Sequence, residues 1–306
     1  MAHAVLSPSG AHRWMVCPPS ARLEQMFPDA TSEVAEEGTL AHHLAEISLK
    51  RYIGEIDQET ASAMLSYAAQ HPNYSIDMPG FVDNYVNSVI DVLTDDARVF
   101  VEYHVDLSMY VPGCYGTADC AVVVGNTLHI FDLKYGKGVQ VYAEENPQLM
   151  MYALGVLDEI RINTQNVTNV VCHIVQPRLY NHSVYEIKAT ELVAWGNRSL
   201  KHTAIEAYTG GGEFCTGEHC RFCKAKGVCR ALANECSGIN DKEVALLSPE
   251  EVANKLAVVP AVEAWCKALQ EQALRTALSG VAIPRYKVVE DRSIRKYTDE
   301  KALLQA

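Results

Sequence analysis

Between Gly116 and Lys134 the chain reads Gly-Thr-Ala-Asp-Cys-Ala-Val-Val-Val-Gly-Asn-Thr-Leu-His-Ile-Phe-Asp-Leu-Lys. No other stretch restricts the fold as much. Two apolar, β-branched runs flank Gly125-Asn126, a two-residue hairpin signal. With those residues as the turn, Val124 faces Thr127 and, further along, Asp119 faces Asp132. The two carboxylates then share a face, with Cβ atoms about 5 Å apart. Lys134, two residues past Asp132, lies on that face too. At an effective dielectric near 20, two such charges repel by roughly 3 kcal/mol, so a cation is expected beside them. Two hard oxygen ligands and a fixed ammonium are what metal-assisted phosphodiester hydrolysis requires. An ordinary solvated strand face can carry the same residues. The nearly unbroken apolar runs Ala121–Val124 and Leu128–Phe131 argue instead for strands covered on both faces, where an unpaired Asp is costly. A three-residue turn would shift the register by one and separate the pair.

At 306 residues and 48% hydrophobic content the chain can bury a large core. It has no apolar run near the length of a membrane span, and its first residues lack the basic and apolar regions of a signal peptide. A cytoplasmic location and no membrane partner are expected. Ten cysteines in a reducing compartment are metal ligands or buried thiols rather than disulfides. Cys114, Cys120, Cys172 and Cys266, scattered among apolar residues, read as small core hydrophobes. The net charge of −12 argues against broad, nonspecific affinity for nucleic acid. It leaves room for a basic groove in an enzyme that holds metal through carboxylates.

The expected order is helical segments at 10–26 (broken at Pro18-Pro19), 32–53, 58–71 and 80–95, then a strand at 99–107 and the hairpin. A helix opens at Asn146-Pro147 and runs to about Ile160. Strands follow at 167–176 and 183–188, then a helix at 190–208. A capping box, Ser248-Pro249-Glu250-Glu251, opens helical material to about Leu278, with an interruption expected at Pro260. Pro284–Ala306 has no clear pattern. This order predicts an α/β fold, a mixed central sheet flanked by helices, with one domain over 1–245 and a helical extension over 246–306.

His42 and Glu46 lie four apart on the 32–53 helix and so share a face. Alone, such a His is an ordinary core or surface residue. Beside a carboxylate hairpin it becomes a candidate metal ligand. Gln148 and Tyr152, also four apart, sit in the first turns of the helix after Lys134. A helix start attracts phosphate, and that pair can contact a backbone phosphate or orient Lys134. Cys220-x2-Cys223-x5-Cys229, flanked by Cys215 and Cys236, points to metal. Zinc would take four local ligands, with Cys215 or His219 as the fourth. An iron–sulfur cluster would take four thiolates, one of them from a distant segment. The same segment carries Arg221, Lys224, Lys226 and Arg230, a basic patch able to hold a nucleic-acid strand.

In order along the chain, Gly38-Thr39-x-x-His42, Gly116-x-x-Asp119, Asp132-x-Lys134 and Gln148-x-x-x-Tyr152 resemble the motifs of the PD-(D/E)xK nuclease superfamily, in its RecB-like and Cas4-like branch. An early Cys17 and the late Cys220, Cys223 and Cys229 match the four-cysteine pattern of that branch. Glu-Gly-Thr-x-Ala-His and Asp-Leu-Lys-Tyr-Gly-Lys-Gly look closer still to a phage and prophage group. The resemblance covers about residues 7–236. It implies a restriction-endonuclease-like core with a cysteine-ligated module. It implies that His42, Asp119, Asp132 and the Leu133 carbonyl bind Mg²⁺ or Mn²⁺, and that Lys134 positions the attacking water or stabilises developing charge. Gln148 and Tyr152 would support the site and the strand. The four cysteines would hold a structural [4Fe–4S] cluster, with zinc as the alternative. Asp132 stands where many relatives have Glu.

The expectation is a metal-dependent DNA exonuclease acting on single strands or ends, alongside phage recombination or replication proteins. A non-catalytic DNA-binding or assembly protein built on the cysteine module is the main competitor. A redox protein using an iron–sulfur centre is a third, and no second cofactor site is recognisable for it. Cleavage polarity, endonuclease against exonuclease action, and oligomeric state are not written in these motifs.

Overall fold

The computed structural model describes residues 4–27, 33–162, 167–226, 228–237 and 246–289. Two compact units divide the chain, Met1–Ala245 and Leu246–Ala306.

In the first unit, short helices α1 (Ala11–Trp14) and α2 (Ser20–Glu24) precede α3 (Glu33–Tyr52), α4 (Gln58–Ala68) and α5 (Met78–Ile90). Strands β1 (Arg98–Asp106), β2 (Tyr115–Val124) and β3 (Thr127–Leu133) follow, then α6 (Pro147–Ile162), β4 (Asn169–Gln176) and β5 (Asn181–Lys188). Helices α7 (Ala189–Trp195), α8 (Lys201–Thr209) and α9 (Arg230–Ser237) complete the unit. A five-residue π-helical stretch, Gly196–Leu200, separates α7 from α8 in the span expected to be one plain helix. The strands form one mixed sheet in the order β1-β2-β3-β4-β5. All neighbours are antiparallel except β3 and β4, which α6 links as a parallel crossover.

Both sheet faces are covered, which explains the apolar runs. On one face Ala121, Val123, Leu128 and Ile130 meet Leu149, Ala153 and Leu157 of α6. On the other, Cys120, Val122, Phe131 and Leu133 meet Leu40 and Leu44 of α3 and Val82, Tyr85 and Val89 of α5. Glu33 and Glu36 in the first turn of α3, and Lys50 and Arg51 in its last, match the helix dipole. Asn146 caps α6 by accepting the N–H groups of Gln148 and Leu149 at 3.0 and 3.4 Å. Gly155 lets α6 lie directly on β1, because a Cβ there would stand 2.7 Å from Val105 Cβ.

The second unit contains α10 (Pro249–Leu278), opened by the expected capping box. It runs without a break through position 260, where an interruption was expected. Among the described residues no helix is long and apolar enough to cross a membrane. Residues 290–306 lie outside the described residues, as do the side chains of Cys236 and Cys266. Cys114, Cys120 and Cys172 are core thiols, each fully buried.

Candidate metal centre and cysteine module

The hairpin has the expected register, with Val124 opposite Thr127 and Cys120 opposite Phe131. Gly125, at φ +55°, takes the left-handed position that the primed two-residue turns need. The β2–β3 ladder ends at Cys120–Phe131, one step short of the expected Asp119–Asp132 pair. β3 continues against β4 to Leu133–Val175, and Lys134 N–H then reaches the Val175 carbonyl at 2.9 Å. The end of β3 therefore stays with β4 while its pairing to β2 stops. The Asp119 carboxylate spans the opening, with Oδ2 accepting the Leu133 N–H at 2.7 Å.

β1 breaks at the same level. Val101 pairs with Cys120 and Tyr103 with Ala118, but Glu102, between them, has φ +48°. A non-glycine residue in the left-handed region costs of order 1–3 kcal/mol and is concentrated at functional sites. The inside–outside alternation changes phase there. Val101 and Cys120 belong to the α3–α5 side, Tyr103 and Ala118 to the α6 side. Asp119 sits at this change of phase and reaches His42 of α3, with His42 Nδ1 3.3 Å from its Oδ1.

His42, Glu102 and Asp119 offer ligand atoms that all lie within 4.8 Å of one another. Asp132, only 1% exposed, is engaged elsewhere. Its Oδ1 accepts from Gln148 Nε2 at 2.9 Å, and its Oδ2 stands 2.8 Å from Lys134 Nζ in an ion pair that lacks hydrogen-bond alignment. Lys134 also donates to Gln148 Oε1 at 3.0 Å, and Gln148 Nε2 reaches the Tyr152 hydroxyl at 3.3 Å. Gly116 leaves room for this arrangement, since a Cβ there would meet Pro8 Cγ at 2.9 Å and Tyr152 Cε1 at 3.0 Å. Glu46 does not join His42. It pairs with His43 at 3.2 Å and with Lys50 at 2.7 Å.

Burial alone would lower the His42 imidazolium, but Asp119 outweighs it and raises the pKa to about 9. Burial would likewise raise Asp119, yet His42, Lys134 and the Leu133 N–H hold it below the usual carboxylate range. Burial wins at Asp132, whose pKa rises. Glu102 is pushed up to about 7 by burial and then by Asp119. Lys134 stays charged, because Asp132 outweighs the burial that would lower it. Glu102 is the residue that sequence reasoning missed. It looked like one more polar position on a half-buried strand. Its signal was the β1–β2 register, which sets it beside Asp119.

The donor set fits a hard divalent cation: carboxylate oxygens and one imidazole, with a lysine close by. His42 is protonated when no metal is bound, so a cationic group already occupies the place a metal would take.

The second cluster lies where α2 meets the late cysteines. Cys17, Cys215, Cys220, Cys223 and Cys229 line one pocket with His219 and Arg13. All five thiols are free. Glu24 fastens the two chain segments together, taking Arg13 Nε at 2.6 Å and the Lys224 N–H at 2.8 Å. Arg22 Nε adds a bond to the Tyr208 carbonyl at 2.6 Å. Thiols from distant parts of the chain thus line one pocket, and thiolates are the donor type that thiophilic metals and clusters take. A groove of about 1200 Å³ runs from Lys134 and Gln148 to His12, Arg221, Phe222 and Lys226 beside this pocket.

Fold and site together define a mixed α/β protein with a His–carboxylate–lysine centre and a cysteine module. The chain belongs to the family described as "Protein of unknown function (DUF2800)", whose profile matches residues 3–306. Among solved structures it is similar to one titled "Crystal structure of SSO0001", at 14% identity over 62% of this chain and 85% of that one. The TM-score of that match is 0.30, too low to say anything of fold or function.

Proposed function

We propose that the chain is a Mg²⁺- or Mn²⁺-dependent deoxyribonuclease of the PD-(D/E)xK type, acting on single-stranded DNA or DNA ends. The observation that carries this reading is the contact set around Lys134. Its ammonium is held 2.8 Å from Asp132 and 3.0 Å from Gln148, close enough to Asp119 and His42 to interact electrostatically with both. His42, Asp119, Asp132 and the Leu133 carbonyl would hold the cation. When bound, it would supply Lewis acidity at the scissile phosphate and a more acidic water.

The chain's own residues do the rest. Lys134, fixed at two points, presents a localised positive charge where charge builds on the phosphate oxygens. Gln148 keeps that ammonium and the Asp132 carboxylate in one orientation, and Tyr152 supports Gln148. A groove of about 1200 Å³ exceeds the roughly 300–1,000 Å³ of small-molecule pockets, which suits a polymer. Arg221 and Lys226 in its lining suit a phosphate backbone and Phe222 offers a stacking surface, while Glu144, Glu145 and Glu218 in the same lining oppose indiscriminate binding of polyanions. The cysteine module, through Cys17, Cys220, Cys223 and Cys229, is read as a [4Fe–4S] site that ties α2 to the late segment. Product with a 5′-phosphate and a role in phage recombination or replication follow from the resemblance.

The test is a time course with Mg²⁺ or Mn²⁺ on single-stranded DNA labelled separately at each end, with Lys134→Ala alongside. Metal-dependent loss of label by the wild type alone supports the nuclease, and the end that disappears first gives polarity. Equal cleavage by Lys134→Ala, or none by protein with its cluster loaded, sinks it.

A further inference from the structure

We infer that the histidine row His129–His173–His182 is a second, separate metal site, which takes one imidazole-binding ion of the Zn²⁺, Ni²⁺ or Cu²⁺ class through His173 Nδ1 and His182 Nε2. It uses none of the residues of the carboxylate centre and does not rest on the nuclease reading. The three histidines come from β3, β4 and β5. In the ladders His129 pairs with Val171, His173 with Phe131 and Val184, and His182 with Val175. All three therefore share the sheet face that packs on α3 and α5, along a diagonal that long side chains can bridge. His129 Nδ1 is 3.1 Å from His173 Nε2, and His173 Nδ1 is 3.2 Å from His182 Nε2. The middle ring is fixed in place. It is 6% exposed and stacks on Phe131, with centroids 4.1 Å apart and planes 10° apart. His129 is half-buried and His182 is exposed, so the row opens to solvent at its β5 end.

Counting protons shows how the row can bind. Burial keeps it neutral, lowering His129 and His182 and pushing His173 to about 3, with the two neighbouring imidazoles adding to the effect at His173. Three neutral imidazoles carry three N–H groups, and two of these close the two contacts. A neutral ring keeps one N–H, so His173 can give an ion only one nitrogen. With Nδ1 on the ion, its Nε2–H donates to His129 Nδ1, the kind of outer partner that orients a metal-bound histidine. The remaining N–H groups then sit on His129 Nε2 and His182 Nδ1, and no proton leaves. The row thus differs from His42, whose proton an ion must displace. Two nitrogens 3.2 Å apart, each about 2.0–2.1 Å from Zn²⁺, subtend about 100° at the ion, close to a tetrahedral angle. A turn of the exposed His182 ring admits the ion, and water completes its shell from the open end. Asp91, the C-cap of α5, acts on His182, and Glu186 of β5 acts on His129. Both carboxylates draw a cation to the row.

The experiment is Ni²⁺ binding to the full chain in excess Mg²⁺, which fills oxygen-donor sites and competes poorly for imidazole. It is read by calorimetric stoichiometry and by the ring NMR signals of histidine-labelled protein. Wild type is expected to bind one Ni²⁺ more than His182→Ala, a change at an exposed ring that spares the fold. His129→Asn should keep that ion with affinity roughly 10- to 100-fold lower, as for a lost orienting partner. The His173 and His182 ring signals should broaden in wild type as the site fills. Equal stoichiometry in wild type and His182→Ala overturns the inference. So do ring signals of His173 and His182 that stay sharp in wild type at saturating Ni²⁺, whether or not the variants fold. An ion lost in His129→Asn but kept in His182→Ala would put the metal at the other end of the row and overturn the ligand assignment. None of these outcomes depends on whether DNA is cut, so failure of the nuclease reading leaves this one standing, and the reverse.

Discussion

Metal binding should expel a proton from His42, and the amount can be worked out. In the metal-free protein its pKa is about 9, against an ordinary value near 6.5. A ligating imidazole must be neutral, so at pH 7 the ion competes with a bound proton across two pH units. That competition weakens binding by roughly 100-fold, or about 2.7 kcal/mol. The side chain is 32% exposed, so solvent screens part of it, and a ten- to hundredfold effect is expected. At pH 8 Glu102, near 7, is already ionised, which leaves His42 as the main donor. Calorimetric titration of Mg²⁺ at pH 8, in buffers of differing ionisation enthalpy, should therefore give close to one proton released per chain. His42→Gln should release close to none. The metal-free fold moves the other way with pH. Because the folded pKa is raised, the His42–Asp119 contact stabilises fully below about 6.5 and is lost as pH climbs through about 9, a loss of roughly 2 kcal/mol after screening. Proton release near zero in wild type would refute the view that His42 holds the cation's place.

Gln148→Ala should cost about 2–3 kcal/mol, because it strips the aligned donor from a carboxylate that is 1% exposed, and cleavage should fall with little change in DNA affinity. Chemical denaturation and single-turnover rates check both parts. Gly155→Ala should lower stability by about 1–2 kcal/mol despite its better helix propensity, since the new methyl meets Val105 at 2.7 Å and must push α6 outward. A thermal melt at or above the wild-type value would contradict that packing. With the proposed cluster, anaerobically purified protein should be brown, and Cys17→Ala should abolish that absorbance and lower the melting temperature; a full cluster spectrum in this variant would remove Cys17 from the ligand set.

Much of this was legible in the chain, for reasons that differ from place to place. The hairpin register could be read because a two-residue turn leaves no freedom in the pairing. The helix at Pro147 could be read because Asn-Pro states its own boundary. Glu102 could not. The eight-residue connection from Leu107 to Cys114 carries no two-residue turn signal, so nothing local sets the β1–β2 register. The early end of the β2–β3 ladder was equally hidden, because it depends on β3 continuing against a strand more than thirty residues later. That His42 and Glu46 share a helix face says nothing of whether they touch, and Glu46 pairs with His43 and Lys50 instead.

The clasp at Glu24 has a consequence for the order of assembly. It joins positions 200 residues apart, Glu24 and Lys224. By loop-closure entropy, bringing such ends together costs about 3 kcal/mol more than closing a ten-residue loop. The late cysteines can meet one another early and cheaply. Cys17 can reach them only once the intervening sheet and helices have brought its segment back. If Cys17 and the late cysteines hold a cluster as proposed, that site would fill last, and its occupancy would report that the entire first unit is in place.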